Sequence, residues 1–175
     1  MVNIMTEPMM KKRILSIENK ADAIVLRQKT APFDFSRFTK KEITELVRSM
    51  RETMKGANGI GLAANQIGLN LSLFVAKTER KLHAVFNPKL VWVSKEEDEI
   101  EEGCLSIPKT YGIVRRPVAV RVEAQDSKGK NVTFAPEGLL ARVFQHEMDH
   151  LQGILFTDKA IEIYEEKRGR KTDAE

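Results

Sequence analysis

The stretch Gln145-His146-Glu147-Met148-Asp149-His150 contains the pattern H-E-x-x-H and guides the interpretation of the whole chain. On an α-helix, residues four positions apart lie one above the other on the same face. His146 and His150 can therefore offer two imidazole nitrogens to one metal ion, while Glu147 can reach water bound to that ion. The chain has three histidines, and two of them fall at this spacing. The motif predicts a helix with two metal ligands and a general base rather than a surface helix with two chance histidines.

The sequence around the motif extends the predicted helix in both directions. Pro136 suits the first helical turn, because an N–H at that position would have no helical partner, and Gly153 is a typical C-terminal stop. Leu139 and Val143 fall on the same stripe as the two histidines. The metal-binding face of this helix is therefore expected to be its buried face as well.

Length and composition favour one compact domain spanning residues 1–175. The chain is 42% hydrophobic and 31% charged, which is enough for a core and unlike a largely disordered protein. No run approaches the ~20 apolar residues of a membrane span, and residues 1–13 lack the apolar core of a secretion signal. A single cysteine, Cys104, rules out an internal disulfide and suits a reducing compartment. The expected location is the cytoplasm.

The formal net charge of +4 is unevenly distributed along the chain. Residues 11–13 and 167–171 are basic, whereas residues 96–102 form an acidic block. We expect residues 1–13 to be a loosely ordered lead and residues 167–175 to be a frayed basic tail. Such ends are usually solvated, and the functional alternative is weak contact with an anionic surface such as RNA.

Local patterns predict two further helices and an irregular arm. Thr39 and Glu42 fit a capping box, apolar residues follow at helical spacing, and Gly56 is a typical stop. A last, charged helix is predicted from residue 157 or 158 to residue 166. Residues 14–38 show little periodicity and are expected to form a wrapping arm.

Apolar and β-branched runs predict strands, which lie at residues 71–76, 82–86, 90–93, 118–122 and 132–134. The last two are expected to form a hairpin, because residues 126–129 carry a turn signal between them. His83 falls inside a predicted strand and is interpreted as a paired structural histidine rather than a ligand.

Two histidines do not complete a zinc-type site, which normally has a third protein ligand. In the pattern H-E-x-x-H-x-x-G-x-x-H that ligand is a histidine, but this chain has Phe156 at the position. A second arrangement takes a glutamate from a following helix. The candidates are Glu162, Glu165 and Glu166. The third possibility is Cys104, usually interpreted as a small buried hydrophobe, although Gly103 permits a bulge that aims the sulfur inward.

Three stretches contain a run of small residues, the lone cysteine and the H-E-x-x-H motif. They are Gly59-Ile-Gly-Leu-Ala-Ala-Asn-Gln66, Glu102-Gly-Cys-Leu-Ser106 and Gln145-His-Glu-Met-Asp-His150. In this order and at these intervals they resemble the signature motifs of the peptide deformylase family, and the resemblance covers residues 14–160. It implies an α+β fold in which antiparallel β-sheets surround a central helix that carries the H-E-x-x-H motif.

The resemblance implies one divalent metal ion held by Cys104, His146 and His150, with water in the open fourth position. Fe2+ is the expected native metal, and Ni2+, Co2+ or Zn2+ could substitute. The implied reaction is hydrolysis of the N-formyl group from the N-terminal formyl-methionine of nascent polypeptides, with release of formate. A metal ion lowers the pKa of its bound water to ~7, giving hydroxide as the nucleophile. Glu147 is placed to take the water's proton and deliver it to the leaving amine.

The resemblance also assigns residues to the oxyanion and the substrate. The side-chain amide of Gln66 and the backbone N–H of Leu105 are implied to hold the oxyanion. Gly61 is implied to let its loop pair with the peptide as an added strand. The implied substrate-binding residues are Ile60, Gly61, Ile100, Gly103, Leu139 and Val143.

Two positions depart from the family pattern, in which position 142 is usually apolar and position 111 often basic. This chain has Arg142 and Tyr111 there. Neither is expected to touch the catalytic residues, so both are expected to affect the pocket rim and the preference beyond methionine. Asp149 faces away from the metal in a helical projection and is expected to have a supporting role.

The expected partners are N-formylmethionyl peptides and, through the C-terminal segment, the ribosome; neither DNA nor a membrane is expected. The chain is expected to act as a monomer, with a dimer as the alternative. Two other functions stay open. One is a general zinc endopeptidase. The other is a metal-stabilised binding module, which would need a closed four-ligand site with His83 as the spare histidine.

Overall fold

The computed structural model describes residues 12–78 and 81–166, which contain three α-helices and eight strands. The helices are α1 (Lys20–Leu26), α2 (Lys40–Gly56) and α3 (Gly138–Leu151). The strands are β1 (Gly61–Ala63), β2 (Leu73–Lys77), β3 (Leu82–Val93), β4 (Glu97–Cys104), β5 (Ile107–Pro117), β6 (Val120–Gln125), β7 (Asn131–Phe134) and β8 (Ala160–Glu165). The predicted basic tail and residues 1–11 of the predicted lead lie outside the described residues. No helix in the described ranges is both long and apolar enough to cross a membrane.

The strands form two sheets in which neighbouring strands are antiparallel. One sheet has the order β1-β2-β3-β6-β7 and the other the order β4-β5-β8. The predicted α+β class with antiparallel sheets is therefore confirmed, and the predicted hairpin is present as β6 and β7. The strands predicted at residues 82–86 and 90–93 are a single strand, β3. Its register shifts after Phe86, where Asn87 has a φ of 50°, and this bulge interrupts the apolar pattern without ending the strand.

The five-stranded sheet separates two apolar layers. On β2, Phe74 and Ala76 face a cluster with Phe144 of α3, whereas Leu73 and Val75 face a cluster on the α2 side. This division follows from the strand period of two, which sends successive side chains to opposite faces. The sheet is thus covered by α3 on one face and by α2 on the other.

The helix α2 begins and ends where its sequence predicts. Thr39 Oγ1 accepts a hydrogen bond from the Glu42 N–H at 3.2 Å, and the Glu42 carboxylate accepts one from the Thr39 N–H at 2.6 Å. These two bonds complete the predicted capping box. Met50 and Met54 are fully buried in the α2-side cluster, so the methionines of this helix fill the core.

The helix α3 contains the H-E-x-x-H residues and packs against β1, β2 and β5, so it contacts both sheets. It begins at Gly138, two residues later than predicted, because the Pro136 carbonyl accepts a hydrogen bond from the Val120 N–H at 3.1 Å. Gly153 follows its end with a φ of 73°, and a Cβ at this position would overlap the Arg27 carbonyl. The predicted stop is therefore correct and requires glycine for two reasons.

The segment after α3 is a strand, so the predicted charged helix at residues 157–166 is wrong. A short 3-10 helix at Phe156–Asp158 precedes β8, which pairs with β5 so that Tyr164 lies opposite Tyr111. The alternation of Ile161 and Ile163 with polar residues also fits a strand. The open edge of β5 decides between the two, because it offers partners to the backbone of this segment.

The arm at residues 14–38 contains the helix α1, which the sequence pattern did not predict. The Asn19 carboxamide oxygen caps α1 by accepting a hydrogen bond from the Ala21 N–H at 2.9 Å. Seven residues are too few to show a helical period clearly. The arm wraps as expected: the Leu15 N–H donates to the Gln66 carbonyl at 2.8 Å, and the Ile17 N–H donates to the Ser106 carbonyl at 3.0 Å.

Candidate metal centre and active site

Three potential metal ligands converge at the base of a cleft. His146 and His150 lie one turn apart on α3, and Cys104 ends β4 at a shift of register after Gly103. One donor atom from each of the three lies within 4.8 Å of the others, and Cys104 Sγ is 3.2 Å from His150 Nε2. Within the described residues, the glutamates considered as alternative ligands are outside this cluster, and so is His83.

His83 packs instead between two aromatic rings. Its ring centroid lies 5.9 Å from that of Phe134 and 6.1 Å from that of Phe144. Its Nδ1 is buried without a hydrogen-bond partner in the described part of the chain, and burial lowers the pKa of His83. The histidine is structural, as predicted, but it is held by packing and not through a hydrogen bond to Nδ1.

Glu102 holds the imidazole of His146 from behind. Its carboxylate lies 2.9 Å from His146 Nδ1, which leaves Nε2 of the ring for a metal ion. Arg116 binds the same carboxylate with two hydrogen bonds, at 2.6 and 3.0 Å. Such a carboxylate partner is typical of histidines that bind metals, because it fixes the tautomer and the orientation of the ring. Sequence reasoning missed Glu102 and Arg116, although the acidic block before Cys104 offered candidates for this role.

The local charges adjust the ionisation of this pair. Burial alone would raise the pKa of Glu102, but hydrogen bonds from His146 and Arg116 outweigh it and lower the pKa to about 2. Burial likewise opposes a charge on His146, yet its hydrogen bonds to Cys104 and Glu102 raise its pKa to about 10. Without a metal, the His146 imidazole therefore stays protonated at neutral pH. A cation that binds at its Nε2 must displace the proton from that nitrogen.

Glu147 follows His146 on α3 and has fewer hydrogen-bond partners than Glu102. It is buried, and its Oε2 has no hydrogen-bond partner among the described residues. Burial raises its pKa to about 7. Gly61 of β1 lies directly against it: a Cβ at position 61 would overlap Glu147 Oε1 and come within 2.9 Å of Val143 Cγ1. Glycine at position 61 therefore leaves room for the Glu147 carboxylate, which a larger residue would displace.

Gln66 projects its amide towards the cysteine from the 3-10 helix Ala64–Ile67. Its Oε1 accepts a hydrogen bond from the Ala63 N–H at 2.8 Å, which directs the Nε2 group to the cluster. Nε2 donates to Ser106 Oγ at 3.2 Å and lies 3.6 Å from Cys104 Sγ. Ser106 is fully buried and was not among the predicted site residues. Its hydroxyl fixes the end of the Gln66 side chain.

The cluster opens into a cleft of about 360 Å³. Of the predicted site residues that are not ligands, those lining it are Ile60, Gly61, Gln66, Gly103, Leu105, Leu139, Val143 and Glu147. Val143 is buried, whereas Leu139, predicted on the buried stripe, is 64% exposed because it lies in the first turn of α3 at the rim. Ile100 is half-exposed on β4 and is not among the described residues that line this cleft. Its contact with a substrate stays a prediction.

Arg142 and Tyr111 also line the cleft, and Arg142 is far more than a rim residue. Its guanidinium is buried and donates to Glu102 Oε1 at 2.7 Å. Its hydrogen-bond partners are Glu102, Asp98 and Val114, none of which is a predicted catalytic residue. Its influence therefore extends beyond the rim only indirectly, through the carboxylate that holds His146. Tyr111 packs against Gly103 at the rim, where its ring stacks on that of Tyr164. Tyr111 thus remains a candidate for substrate preference.

Asp149 supports the same region from the far side of α3. Its carboxylate accepts a hydrogen bond from Arg116 at 2.8 Å and another from Lys159 at 2.6 Å. It is outside the ligand cluster of the described residues. This agrees with its expected supporting role, which acts through Arg116.

Three grouped ligands beside a buried carboxylate, in a cleft of an α+β fold, define a candidate metallohydrolase site. Comparison with known proteins narrows this class. The family model described as polypeptide deformylase matches residues 11–166. The peptide deformylase of Halothermothrix orenii is 43% identical over 155 residues, which are 87% of this chain and 97% of that protein. That of Rhizobium meliloti is 48% identical over 139 residues, 77% of this chain and 78% of that protein.

Solved structures of peptide deformylases are similar to this chain as well. A peptide deformylase from Synechococcus elongatus, in complex with actinonin, superposes with a TM-score of 0.78 at 36% identity, covering 90% of this chain and 82% of that one. The peptide deformylase from Thermotoga maritima gives a TM-score of 0.79 at 33% identity, covering 87% and 99%. The chain belongs to the polypeptide deformylase family, whose named members are hydrolases.

Proposed function

We propose that this chain removes the N-formyl group from the N-terminal formyl-methionine of nascent polypeptides and releases formate in a metal-dependent hydrolysis. The observation that carries the proposal is the convergence of Cys104, His146 and His150. The first two of these line the same cleft as Glu147 and Gln66. Family membership supports the same reaction class. The proposal includes one catalytic domain over residues 1–175, with the H-E-x-x-H helix as its centre between the two sheets.

The ligand set fits a divalent transition metal. Thiolate and imidazole together suit Fe2+, Ni2+, Co2+ and Zn2+, and Fe2+ is the native metal we propose. The orientation of His146 supports this fit, because Glu102 occupies Nδ1 and leaves Nε2 for coordination. When bound, such an ion supplies a Lewis acid and lowers the pKa of coordinated water to ~7.

Glu147 is proposed to move the proton. A general base works best when its pKa lies near the working pH, and burial brings the pKa of Glu147 to about 7. Its Oε2 makes no hydrogen bond to the described residues, so it can accept a proton from water and deliver it to the leaving amine. This is the mechanistic role that the buried, apolar setting of Glu147 best supports.

Gln66 and Leu105 are proposed to stabilise the oxyanion. The Gln66 amide is held by the Ala63 N–H, so its donor group is directed into the cleft before the substrate binds. The backbone N–H of Leu105, next to Cys104, is the second proposed donor. Donors that are already oriented are effective because they do not need to reorganise during the reaction.

The peptide is proposed to bind along β1 with its methionine side chain in the cleft. β1 is an edge strand of the five-stranded sheet, so the backbone around Gly61 can pair with an extended peptide. Val143, Leu139 and Ile60 supply the apolar contacts for the methionine, and Gly103 supplies room beside them. Ile100 is a further proposed contact on β4, the strand of the other sheet that also contains Gly103.

The decisive experiment measures formate release from formyl-Met-Ala-Ser together with the metal content of anaerobically purified protein. We expect one divalent ion per chain and formate release that stops when a chelator removes the ion. Cleavage of casein without formate release would instead identify a general endopeptidase. Protein that binds metal but releases no formate and cleaves no casein would favour the binding module.

The proposed surroundings are the cytoplasm and the ribosome. Residues 167–175 include Lys167, Arg168, Arg170 and Lys171, a basic segment suited to weak contact with ribosomal RNA. Deleting these residues should reduce co-sedimentation with ribosomes at low salt while formate release from free peptides is unchanged. Undiminished co-sedimentation would exclude this contact. The proposed oligomeric state is a monomer, which sedimentation analysis of the same preparation tests.

A further inference from the structure

Arg142 carries a buried positive charge beneath the cleft. It lies on α3 one turn before His146, so its side chain projects from the same face of the helix. Its guanidinium donates to Glu102 Oε1 at 2.7 Å, to the Val114 carbonyl at 2.8 Å and to the Asp98 carbonyl at 3.1 Å. It also forms an ion pair with the Asp98 carboxylate. One side chain thus connects α3 with both β4 and β5.

The hydrogen bond from Arg142 helps to fix the orientation of the Glu102 carboxylate. Glu102 Oε1 accepts hydrogen bonds from Arg116 and Arg142, while Oε2 accepts one from Arg116 and faces His146 Nδ1. Each oxygen therefore has two partners, and the carboxylate plane is fixed from both sides. Arg116 alone would leave Oε1 with a single donor and the carboxylate freer to rotate away from the imidazole.

We propose that Arg142 is a positioning residue that sets the orientation of the His146 imidazole through Glu102. The proposal rests on the metal site proposed above. The planar guanidinium suits this task because it donates in several fixed directions at once, which a lysine or an apolar side chain cannot do. Arg142 also lines the cleft. It would therefore contact the substrate site and support a metal ligand at the same time.

A purely structural ion pair is the competing explanation, and the two differ in what they predict. A structural pair would change the stability of the metal-free protein and leave the metal site as it is. A positioning role changes the geometry and lifetime of the bound metal. The substitution R142M is informative because Glu102 keeps Arg116 as a counter-ion, and because Asp98, with its side chain 35% exposed, can be solvated.

The experiment compares R142M with wild type and with R115M as a matched control. Arg115 lies next to Arg116 on β5 and pairs with Glu99 on the exposed side of the sheet. The three readouts are the rate at which a chelator removes Zn2+ from the loaded protein, the visible spectrum of the Co2+-loaded protein, and thermal unfolding of the metal-free protein. Loss of a partner that supports a metal ligand typically weakens metal binding by about 10- to 100-fold.

We expect Zn2+ to leave R142M about tenfold faster, the low end of that range, since Arg142 acts through Glu102. We also expect the Co2+ absorption bands to shift, with neither change in R115M. Wild-type Zn2+ dissociation and an unchanged Co2+ spectrum in R142M would overturn the inference, whatever happens to its stability. If R142M does not fold, R142Q replaces it under the same criteria, because its single amide cannot bind Glu102 and Asp98 together. Wild-type protein that binds neither ion would refute the proposed metal site instead.

Discussion

The two sheets support the candidate site in opposite ways. On the side of β4 and β5, Glu102 is surrounded by donors and its pKa is lowered to about 2. On the side of β1, Glu147 is buried against Gly61, and burial raises its pKa to about 7. Both are buried glutamates within a few residues of a candidate metal ligand. The comparison indicates that hydrogen bonding separates the two carboxylates. It keeps Glu102, the proposed support of a ligand, charged, whereas burial dominates at Glu147, the proposed proton carrier.

The largest effect is expected from removing the carboxylate of Glu147, which is proposed to exchange the proton. E147Q should lower the turnover of formyl-Met peptides by about 100- to 10,000-fold, the usual contribution of general acid–base catalysis. Its metal content should equal that of the wild type, because Glu147 is outside the ligand cluster of the described residues. Rapid formate release by metal-loaded E147Q would contradict the proposed mechanism.

The next largest effect should come from filling the space beside Glu147. In G61A the new Cβ would overlap Glu147 Oε1, so the carboxylate must move. A displacement of about 1 Å can cost ~100-fold in rate, and we expect a loss of this order with unchanged metal content. Measurements of kcat and metal content on one preparation test this, and wild-type kcat would show that the carboxylate has more room than the geometry indicates.

The substitution E102Q should change metal affinity rather than proton transfer. Loss of the charge that supports His146 should weaken metal affinity by about 10- to 100-fold, with activity falling accordingly until excess metal is added. The matched control is E99Q, since Glu99 lies on the same strand in an exposed pair with Arg115. Competition with a chelator measures both variants. Equal affinity of E102Q and E99Q would show that the negative charge beside His146 does not matter for the metal.

The smallest effect concerns the pH dependence of stability in the metal-free protein. The pKa of Glu147 is raised from 4.5 to about 7, so its favourable contribution is complete below pH 4.5 and is lost as the pH rises through 7. E147Q should therefore be more stable than the wild type at pH 8, by roughly 3 kcal/mol, with a smaller gain at pH 5. Urea unfolding at the two pH values tests this. An equal gain at both would show that Glu147 does not titrate between them.

Much of the candidate site follows from short stretches of sequence. The spacing of His146 and His150 places them on one helix face whatever surrounds the helix, because the α-helical repeat is local. The capping box of Thr39 and Glu42 is local for the same reason. The third ligand could not be predicted from local spacing. The residues alone left Cys104 and the later glutamates as alternatives, and the resemblance of three motifs to one family indicated the cysteine.

The tertiary structure decided what local patterns could not. Residues 160–165 are compatible with helix or strand, and the open edge of β5 makes them a strand. Glu102 on β4 and Arg142 on α3 are 40 positions apart, so no local spacing rule could predict the hydrogen bond between them. The sequence by itself determined the spacing of the two histidines on one helix and the chemical types of the candidate ligands. Only the folded chain determined which buried charges surround each glutamate, because solvation and hydrogen bonding depend on neighbours that are distant in sequence.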